Sequence, residues 1–479
     1  MGTIFRAQAG ILLLLLRTLL CSFFLTINIA SEHGAQIHGN SPDTAASAVF
    51  SCYNSQHVPE PITIGSYLHG IPSRSLRIHR IWWSKRKHRL ALTMFTQSGL
   101  DRLKSLERQC HGYPGGLITV AVWVPIIVAP ATLPTPGQNP QRGYNLTATQ
   151  SAMLANATDT VDRFYRIFEP HSNDSLADSH LRTCVLRVVL VYELVADSIM
   201  ATLMPLNILR NTALLMATTP LVAMVDADVL LNWGLAAKVL MNASRVVMME
   251  RQAMQEQTAW VMPIFDTNEA LSIPERISLA QEAVADGPNP KAKLLDMWQK
   301  RGLVFPYGAH GFMLGHGPTD YDAWSHTSSD YNVTYQAGYE PFFIGARKTL
   351  IPYDSRFRGY FKDKIVNVAY VASMGSTFRI LPDVWMVHQA HLPSMASYKW
   401  LKNHHTANIT TPLDKHIRIV NGSWVTARKA NSIHSYSTYE ESLVHMSEGK
   451  YKLVTDKATE HCRSVLPWWQ NHTASDRRR

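Results

Sequence analysis

Apolar residues in the middle of the chain form short continuous runs separated by segments with helical spacing. The runs of strand length are residues 91–96, 117–128, 185–192 and 221–225. After the first run, Leu100, Leu103 and Leu106 recur at the interval of one helix face. Residues 148–167 and 206–216 are also expected to be helical. Strands that alternate with helices predict an α/β fold, with a mostly parallel sheet covered by helices on both faces.

The N-terminal stretch of residues 9–30 is apolar and has the roughly 20 residues that a helix needs to cross a bilayer. Arg17 interrupts it, at a cost of about 2.5–3.5 kcal/mol if the side chain lay at the bilayer centre. We expect a transmembrane signal anchor, with residues 1–8 as a short cytoplasmic tail and the rest of the chain in the lumen. The alternative is a signal peptide cleaved after Ala30, which leaves the lumenal location unchanged.

Three segments are expected after the anchor. Residues 31–75 are rich in Ser, Gly, His and Pro and show little periodicity, so we assign residues 31–80 to a stem or linker. Residues 81–400 hold the alternating pattern of strands and helices and are assigned to the main domain. Residues 401–479 are expected to form a C-terminal extension.

Composition narrows the class of protein. The chain has 479 residues, of which 46% are hydrophobic and 17% charged, so it can bury a sizeable core and is not expected to be disordered. Its net charge of +10 comes from scattered basic residues, without zinc-finger spacing or an aromatic RNA-binding motif. We therefore expect no nucleic-acid partner. A basic enzyme that binds anionic substrates is compatible with this charge.

Cysteines and asparagines carry information about the compartment. Cys21 lies in the apolar N-terminal stretch, and the other four cysteines could form two disulfides in any of three pairings or remain free thiols. No pair has the spacing of zinc ligands. N-glycosylation sequons occur at Asn145, Asn156, Asn173, Asn242, Asn332, Asn408, Asn421 and Asn471. Eight sequons in one chain favour a glycosylated lumenal protein.

The strand predicted at residues 221–225 ends in two carboxylates, Asp226 and Asp228. On extended backbone this spacing points both side chains to one side, at the edge of the sheet where α/β proteins bind ligands. Two carboxylates there can hold Mn²⁺ or Mg²⁺, and the ion can neutralise a diphosphate. Arg210 and Asn211 lie on the helix before this strand, where an arginine can meet a phosphate.

Several segments match the order and spacing of one enzyme family. They begin at Leu92 (LTMFTQSGLDRLKSLE), Pro205 (PLNILRNTAL), Thr218 (TTPLVAMVDAD), Trp260 (WVMPIF), Gly315 (GHGPTDYDAW), Tyr339 (YEPF), Tyr353 (YDSRFRGY) and Leu381 (LPDVWMVHQAHLPS). Over residues 90–395 the chain thus resembles glycosyltransferase family 49, the LARGE-type and β-1,4-glucuronyltransferase group.

The resemblance implies a GT-A fold, which is Rossmann-like, and a UDP-sugar as donor substrate. It also implies inversion at the anomeric carbon, with Mn²⁺ or Mg²⁺ bound by Asp226, Asp228 and a late histidine, either His388 or His391. On the same basis Arg210, Asn211 and Asp226 are expected to contact the donor. Inversion requires one base for the acceptor hydroxyl. Glu340 and Asp363 are the candidates, and Glu340 is preferred because its segment resembles the acceptor side of the family.

The chain departs from the family pattern at a few positions. Val229 stands where the family has phenylalanine after the second aspartate, and Ala390 where it has proline. After Gly359-Tyr360 the family continues G-[WF]-[ND]-K, whereas this chain has Phe361, Lys362, Asp363 and Lys364. These departures leave the donor sugar and the acceptor contacts open.

We therefore expect an inverting, metal-dependent glycosyltransferase that moves a sugar, with glucuronate the expected one, to a glycan or glycoprotein acceptor. The expected location is the Golgi membrane, single-pass type II, with secretion or the ER lumen as the alternative after signal cleavage. A catalytically inactive lumenal protein of GT-A fold that binds glycans is the alternative function. The joint presence of Asp226, Asp228, Arg210 and the two histidines disfavours it. A glycosidase needs no nucleotide site and is disfavoured by the metal-type carboxylates.

Overall fold

The computed structural model describes residues 41–128, 145–169, 183–392, 411–419 and 422–470. The predicted anchor at 9–30 lies outside the described residues, as does the short tail before it. Within the described ranges, no helix combines the length and the apolar composition needed to cross a membrane.

The described chain contains strands and helices in alternation. Strands β1 to β15 are Leu76–Trp83, Leu92–Ser98, Leu117–Ile127, Val185–Val195, Leu221–Met224, Val229–Leu231, Thr258–Met262, Ile264–Thr267, Val304–Pro306, Tyr331–Val333, Phe342–Ala346, Thr377–Ile380, Met386–His388, His416–Arg418 and Trp424–Thr426. Helices α1 to α13 are Pro42–Asn54, Ile64–Leu68, Leu103–His111, Ala148–Arg166, Leu206–Leu215, Ala243–Gln255, Ile273–Val284, Pro290–Leu295, Met313–His316, Tyr321–His326, Asp363–Ser373, Ala427–Ser447 and Lys457–Val465. The four apolar runs are confirmed as β2, β3, β4 and β5.

A nine-stranded sheet forms the centre, in the order β1-β4-β3-β2-β5-β11-β7-β12-β10. Parallel pairing joins β4, β3, β2 and β5 in succession and also joins β7 to β12. The remaining neighbours are antiparallel. The α/β class is confirmed, but the sheet is more mixed than expected, because β11 enters antiparallel between β5 and β7 and both edge strands are antiparallel.

The core lies on this sheet. Every residue of β4 is buried, as a strand covered on both faces requires, and its Val- and Leu-rich sequence provides the apolar side chains. Helix α5 contacts β2 and β3, and α6 contacts β7 and β11. A second sheet, in the order β6-β13-β8-β9, stands beside the first and carries part of the candidate site.

The described part of the segment assigned to a stem, residues 41–80, is folded onto the domain. Helix α1 begins after Ser41, whose hydroxyl accepts a hydrogen bond from the backbone of Thr44, and it buries Val49 and Tyr53 in the main core. Strand β1 then pairs with β4 at the edge of the large sheet. These described residues form α1, α2 and the first part of β1, and each of these elements is too short to leave a clear periodicity in the sequence.

The two termini of the described chain are joined covalently. One disulfide links Cys52 in α1 to Cys462 in α13, and a second links Cys110 to Cys184. The sequence allowed three pairings, and the structure selects this one. Disulfides of this kind persist in oxidising compartments, which agrees with a lumenal protein.

Candidate active site

The pair of aspartates lies where the large sheet passes into the second sheet. Strand β5 ends two residues before Asp226, and β6 begins directly after Asp228. Strand β6 pairs antiparallel with β13 so that Val229 lies opposite His388. The backbone of Gln389 donates a hydrogen bond of 2.7 Å to the carbonyl of Asp228. This register brings the histidines of the late segment to the second aspartate.

Asp228, His388 and His391 form a cluster, called here the histidine cluster, whose possible ligand atoms all lie within 4.8 Å of one another. Nε2 of His391 is 2.8 Å from the Asp228 carboxylate, and the Nε2 atoms of the two histidines are 3.3 Å apart. Nδ1 of His388 faces Asp266 at 3.4 Å, and Arg276 donates to the same Asp266 oxygen at 3.0 Å. A carboxylate thus orients the imidazole, as in many metal sites.

The surroundings of Asp228 and His388 favour the charged form of each side chain. Burial raises the pKa of Asp228. The hydrogen bond from His391 and the charge of His388 lower it by more, so the pKa lies below its ordinary value. Burial lowers the pKa of His388. The hydrogen bond and charge of Asp266, together with the charge of Asp228, raise it by more, so the pKa lies above its ordinary value. One carboxylate and two imidazoles suit Mn²⁺ and related divalent ions. The donor set therefore fits the expected metal.

Asp226 lies in different surroundings, called here the cationic network, which comprises Asp226, Arg210, Lys364 and Asp363. Lys364 donates to one carboxylate oxygen of Asp226 at 3.0 Å, and Arg210 donates to the other at 3.3 Å. Gln97 donates to that second oxygen as well, at 3.2 Å. Burial raises the pKa of Asp226, but Lys364 and Arg210 lower it well below its usual range. Asp226 is not part of the histidine cluster.

The two residues on α5 point into the protein. Arg210 is 2% exposed, forms an ion pair with Asp363 and donates to the side chain of Asn207 at 2.8 Å. The Asn211 amide exchanges two hydrogen bonds of 2.8 Å with the backbone of Tyr353. These contacts make both residues supports of the site wall. A direct contact between Asn211 and a donor stays a prediction.

The two candidate bases differ in their partners. Asp363 is the first residue of α11 and its carboxylate is held by Arg210. Glu340 is half-buried just before β11, and its backbone donates to Gly315 at 2.8 Å. No described residue donates a hydrogen bond to the Glu340 carboxylate. Burial raises the pKa of Glu340 to about 7, with Lys364 opposing and Asp363 adding to the rise. A carboxylate with these properties suits a general base.

Sequence reasoning missed other residues of this region. Lys364 holds Asp226 and stands where the family pattern also has lysine. Asp266 orients His388 and directly follows a matching segment. The ring of Tyr307 lies edge-on to His316 at 5.1 Å and to His388 at 5.5 Å. His316 is buried, and its Nε2 has no hydrogen-bond partner in the described chain. Tyr307 carried no signal, because it lies between the matching segments.

Comparisons with known proteins identify the family to which the chain is similar. A family model described as "Glycosyl-transferase for dystroglycan" matches residues 91–415. Xylosyl- and glucuronyltransferase LARGE1 of Gallus gallus is 28% identical over 199 residues, which are 42% of this chain and 24% of that protein. The LARGE1 protein of Homo sapiens gives the same identity and the same coverage of both chains. The LARGE2 protein of Mus musculus is 31% identical over 193 residues, 40% of this chain and 25% of its own. The matched region thus spans about a quarter of these relatives.

Proposed function

The chain belongs to the family described as "Glycosyl-transferase for dystroglycan", and from this premise we propose that it is an inverting, divalent-metal-dependent transferase that uses a UDP-sugar. Family membership makes the chain a glycosyltransferase, which implies a nucleotide-sugar donor and a glycan acceptor. The observation that carries the metal dependence is the histidine cluster, which lies at the start of β6 and the end of β13. We propose glucuronate as the sugar transferred, on the family resemblance and the names of the relatives.

The donor side of the site is assigned to Asp228, His388 and His391, which would hold Mn²⁺ or Mg²⁺. When bound, the ion neutralises the diphosphate of the donor and acts as a Lewis acid on the leaving group. The cationic network keeps Asp226 ionised beside it, because Lys364 and Arg210 together hold both oxygens of its carboxylate. Asp226 is thereby held in one orientation.

The acceptor side is assigned to Glu340. Its carboxylate takes the proton of the acceptor hydroxyl as that oxygen attacks the anomeric carbon of the donor. The bond from the anomeric carbon to the diphosphate oxygen breaks, UDP leaves on the opposite face, and the configuration inverts. Asp363 is the less suitable base, because its ion pair with Arg210 occupies the carboxylate.

We propose that the enzyme works in the lumen of the secretory pathway, anchored in the Golgi membrane by residues 9–30. The eight sequons and the two disulfides support the lumenal location. The disulfide between Cys52 and Cys462 also supports treating residues 41–80 and the C-terminal extension as parts of one catalytic unit.

The test is transfer from a panel of UDP-sugars by the full chain purified in detergent. We expect UDP release and glycan product with Mn²⁺, no product after EDTA treatment, and recovery when Mn²⁺ is returned. Full activity in EDTA would overturn the metal dependence. Absence of UDP release with every donor would overturn the proposed donor class.

A further inference from the structure

The two edges of the large sheet differ in how they are protected. Strand β1 at one edge contacts helix α1, and its pairing with β4 shifts register between Ile78 and Arg80. A covering helix and an irregular register both keep an edge strand from pairing with another chain. Strand β10 at the other edge pairs with β12, and no described strand pairs with its opposite side. Among the described residues, the edge at β10 is therefore the open one.

The sequence at this open edge lacks the residues that commonly protect edge strands. Residues 331–336 read Tyr-Asn-Val-Thr-Tyr-Gln, without a charge, a proline or a glycine. Short uncharged segments rich in aromatic and β-branched residues pair readily with copies of themselves. Soluble proteins often prevent such pairing with a lysine, a proline or a bulge on the edge strand. A different form of protection is needed here.

The open edge carries one of the N-glycosylation sequons on its exposed face. Tyr331 and Val333 are half-buried and pack against a buried cluster that includes Phe378 of β12. Asn332 and Thr334, the first and third residues of the sequon, are both exposed. This alternation follows from the two-residue period of extended backbone. Within the described part of the chain, the Asn332 side chain has no hydrogen-bond partner, so its amide nitrogen is available for a covalent bond.

A second sequon lies at the same corner of the protein. Asn242 precedes α6, and its side-chain oxygen accepts a hydrogen bond of 3.0 Å from the backbone of Arg245, which leaves the amide nitrogen for a sugar. Arg245 forms an ion pair with Asp330, the residue before β10. Asn332 lies opposite Arg379 of β12, which also approaches Asp330, at 3.8 Å. The two sequons therefore flank one group of charges at the β10 end of the sheet.

We propose that Asn332 carries an N-linked glycan and that this glycan covers the open edge of β10. In the reaction, Nδ2 of Asn332 loses a proton to a base of the host's oligosaccharide transferase and bonds to the anomeric carbon of a lipid-linked oligosaccharide. The bond from that carbon to the lipid diphosphate breaks, and the lipid diphosphate leaves. A bulky hydrated group on the strand keeps a second chain from pairing with it. The inference goes beyond the proposed transferase activity and requires only passage through the secretory pathway.

The first measurement maps glycans on the full chain, expressed in a eukaryotic secretory host and purified in detergent. N-glycosidase leaves aspartate where a glycan was attached, so peptide mass spectrometry after treatment should show Asn332 converted to aspartate. An unmodified Asn332 in a protein that carries glycans at other sequons would overturn this inference and leave the lumenal location intact. Absence of a glycan at every sequon would overturn both.

The second measurement is self-association, followed by light scattering below the unfolding temperature. Thr334→Ala keeps Asn332 but destroys the sequon, so this variant should lose one glycan and aggregate several-fold faster than the unmodified chain. Asn332→Gln should behave in the same way. Thr334→Ser keeps the sequon and should match the unmodified chain. UDP-sugar turnover per soluble molecule should be unchanged in all three variants, because neither residue belongs to the proposed donor or acceptor side.

The matched control removes a glycan near the opposite end of the sheet. Helix α4 packs against β3 and β4, and Asn156 in α4 and Asn145 just before it are exposed sequon residues. Asn156→Gln or Asn145→Gln, whichever removes a glycan, should leave the aggregation rate unchanged. Equally fast aggregation of this control and of Thr334→Ala would mean that glycans act on solubility in general, and it would overturn the covering of β10. Aggregation of Thr334→Ala at the unmodified rate would also overturn it.

Discussion

Asp226 and Asp228 are separated by one residue, yet their surroundings differ. Asp226 accepts hydrogen bonds from Lys364, Arg210 and Gln97, and both of its oxygens are engaged. Asp228 faces two imidazoles, whose protons a metal ion can replace. Both aspartates stay predicted metal ligands, and the difference in their partners leads us to propose different roles for them. What decides is which neighbouring groups the fold places against each carboxylate.

The largest expected effect tests this difference directly. Asp228→Asn should fold normally, lose Mn²⁺ binding and lower transfer by roughly 10³-fold or more, because it removes the one carboxylate of the histidine cluster. Asp226→Asn should instead lower the free energy of unfolding by about 1–3 kcal/mol, because it weakens charged hydrogen bonds to Lys364 and Arg210. Calorimetric Mn²⁺ titration and thermal unfolding of both variants provide the measurements. Equal loss of Mn²⁺ affinity in the two variants would contradict the different roles proposed for Asp226 and Asp228.

A second test concerns the base, which lies outside the histidine cluster. Glu340→Gln removes the proton acceptor and leaves the proposed metal ligands in place, so transfer should fall roughly 10²–10⁴-fold. Binding of the UDP-sugar and of Mn²⁺ should stay close to that of the unmodified protein. Asp363→Asn is the matched control at the alternative base. Near-normal turnover in Glu340→Gln would move the assignment to Asp363.

A third, smaller effect is expected at the residue that orients His388. Asp266→Asn should weaken Mn²⁺ affinity roughly 10–100-fold, because His388 loses the carboxylate that holds its other ring nitrogen. Transfer at saturating Mn²⁺ should recover most of its rate, since all proposed ligands remain. An unchanged Mn²⁺ dissociation constant in this variant would contradict the proposed role of Asp266 in orienting His388.

The smallest effect is on stability. The folded-state pKa of Glu340 is about 7, above its ordinary value of 4.5. Its contribution to stability is therefore complete below pH 4.5 and is lost as the pH rises through 7. At pH 8 we expect Glu340→Gln to be more stable than the unmodified protein by about 1–2 kcal/mol, a difference that shrinks toward pH 5. Denaturant unfolding at the two pH values measures it, and an identical difference at both would contradict the raised pKa.

Local pattern predicted much of the fold. The apolar runs became β2, β3, β4 and β5, and the helices expected at 148–167 and 206–216 became α4 and α5. These elements follow from side-chain periodicity, which acts over a few residues. Side-chain periodicity did not predict the antiparallel position of β11 between β5 and β7. It also did not predict that residues 41–80 fold onto the domain. Both depend on partners that are distant in sequence, including Cys462 for Cys52.

For the site, the sequence by itself determined the residue types: two aspartates after a buried strand, two late histidines and two acidic candidates for the base, Glu340 and Asp363. Only the tertiary structure decided their partnerships. Lys364 reaches Asp226 across 138 residues of chain, and Asp266 reaches His388 across 122. These contacts are fixed by the pairing of β6 with β13 and the packing of α11 against the site. Periodicity records which face of an element is buried, whereas the meeting of charges from distant elements depends on the register and packing of the whole fold.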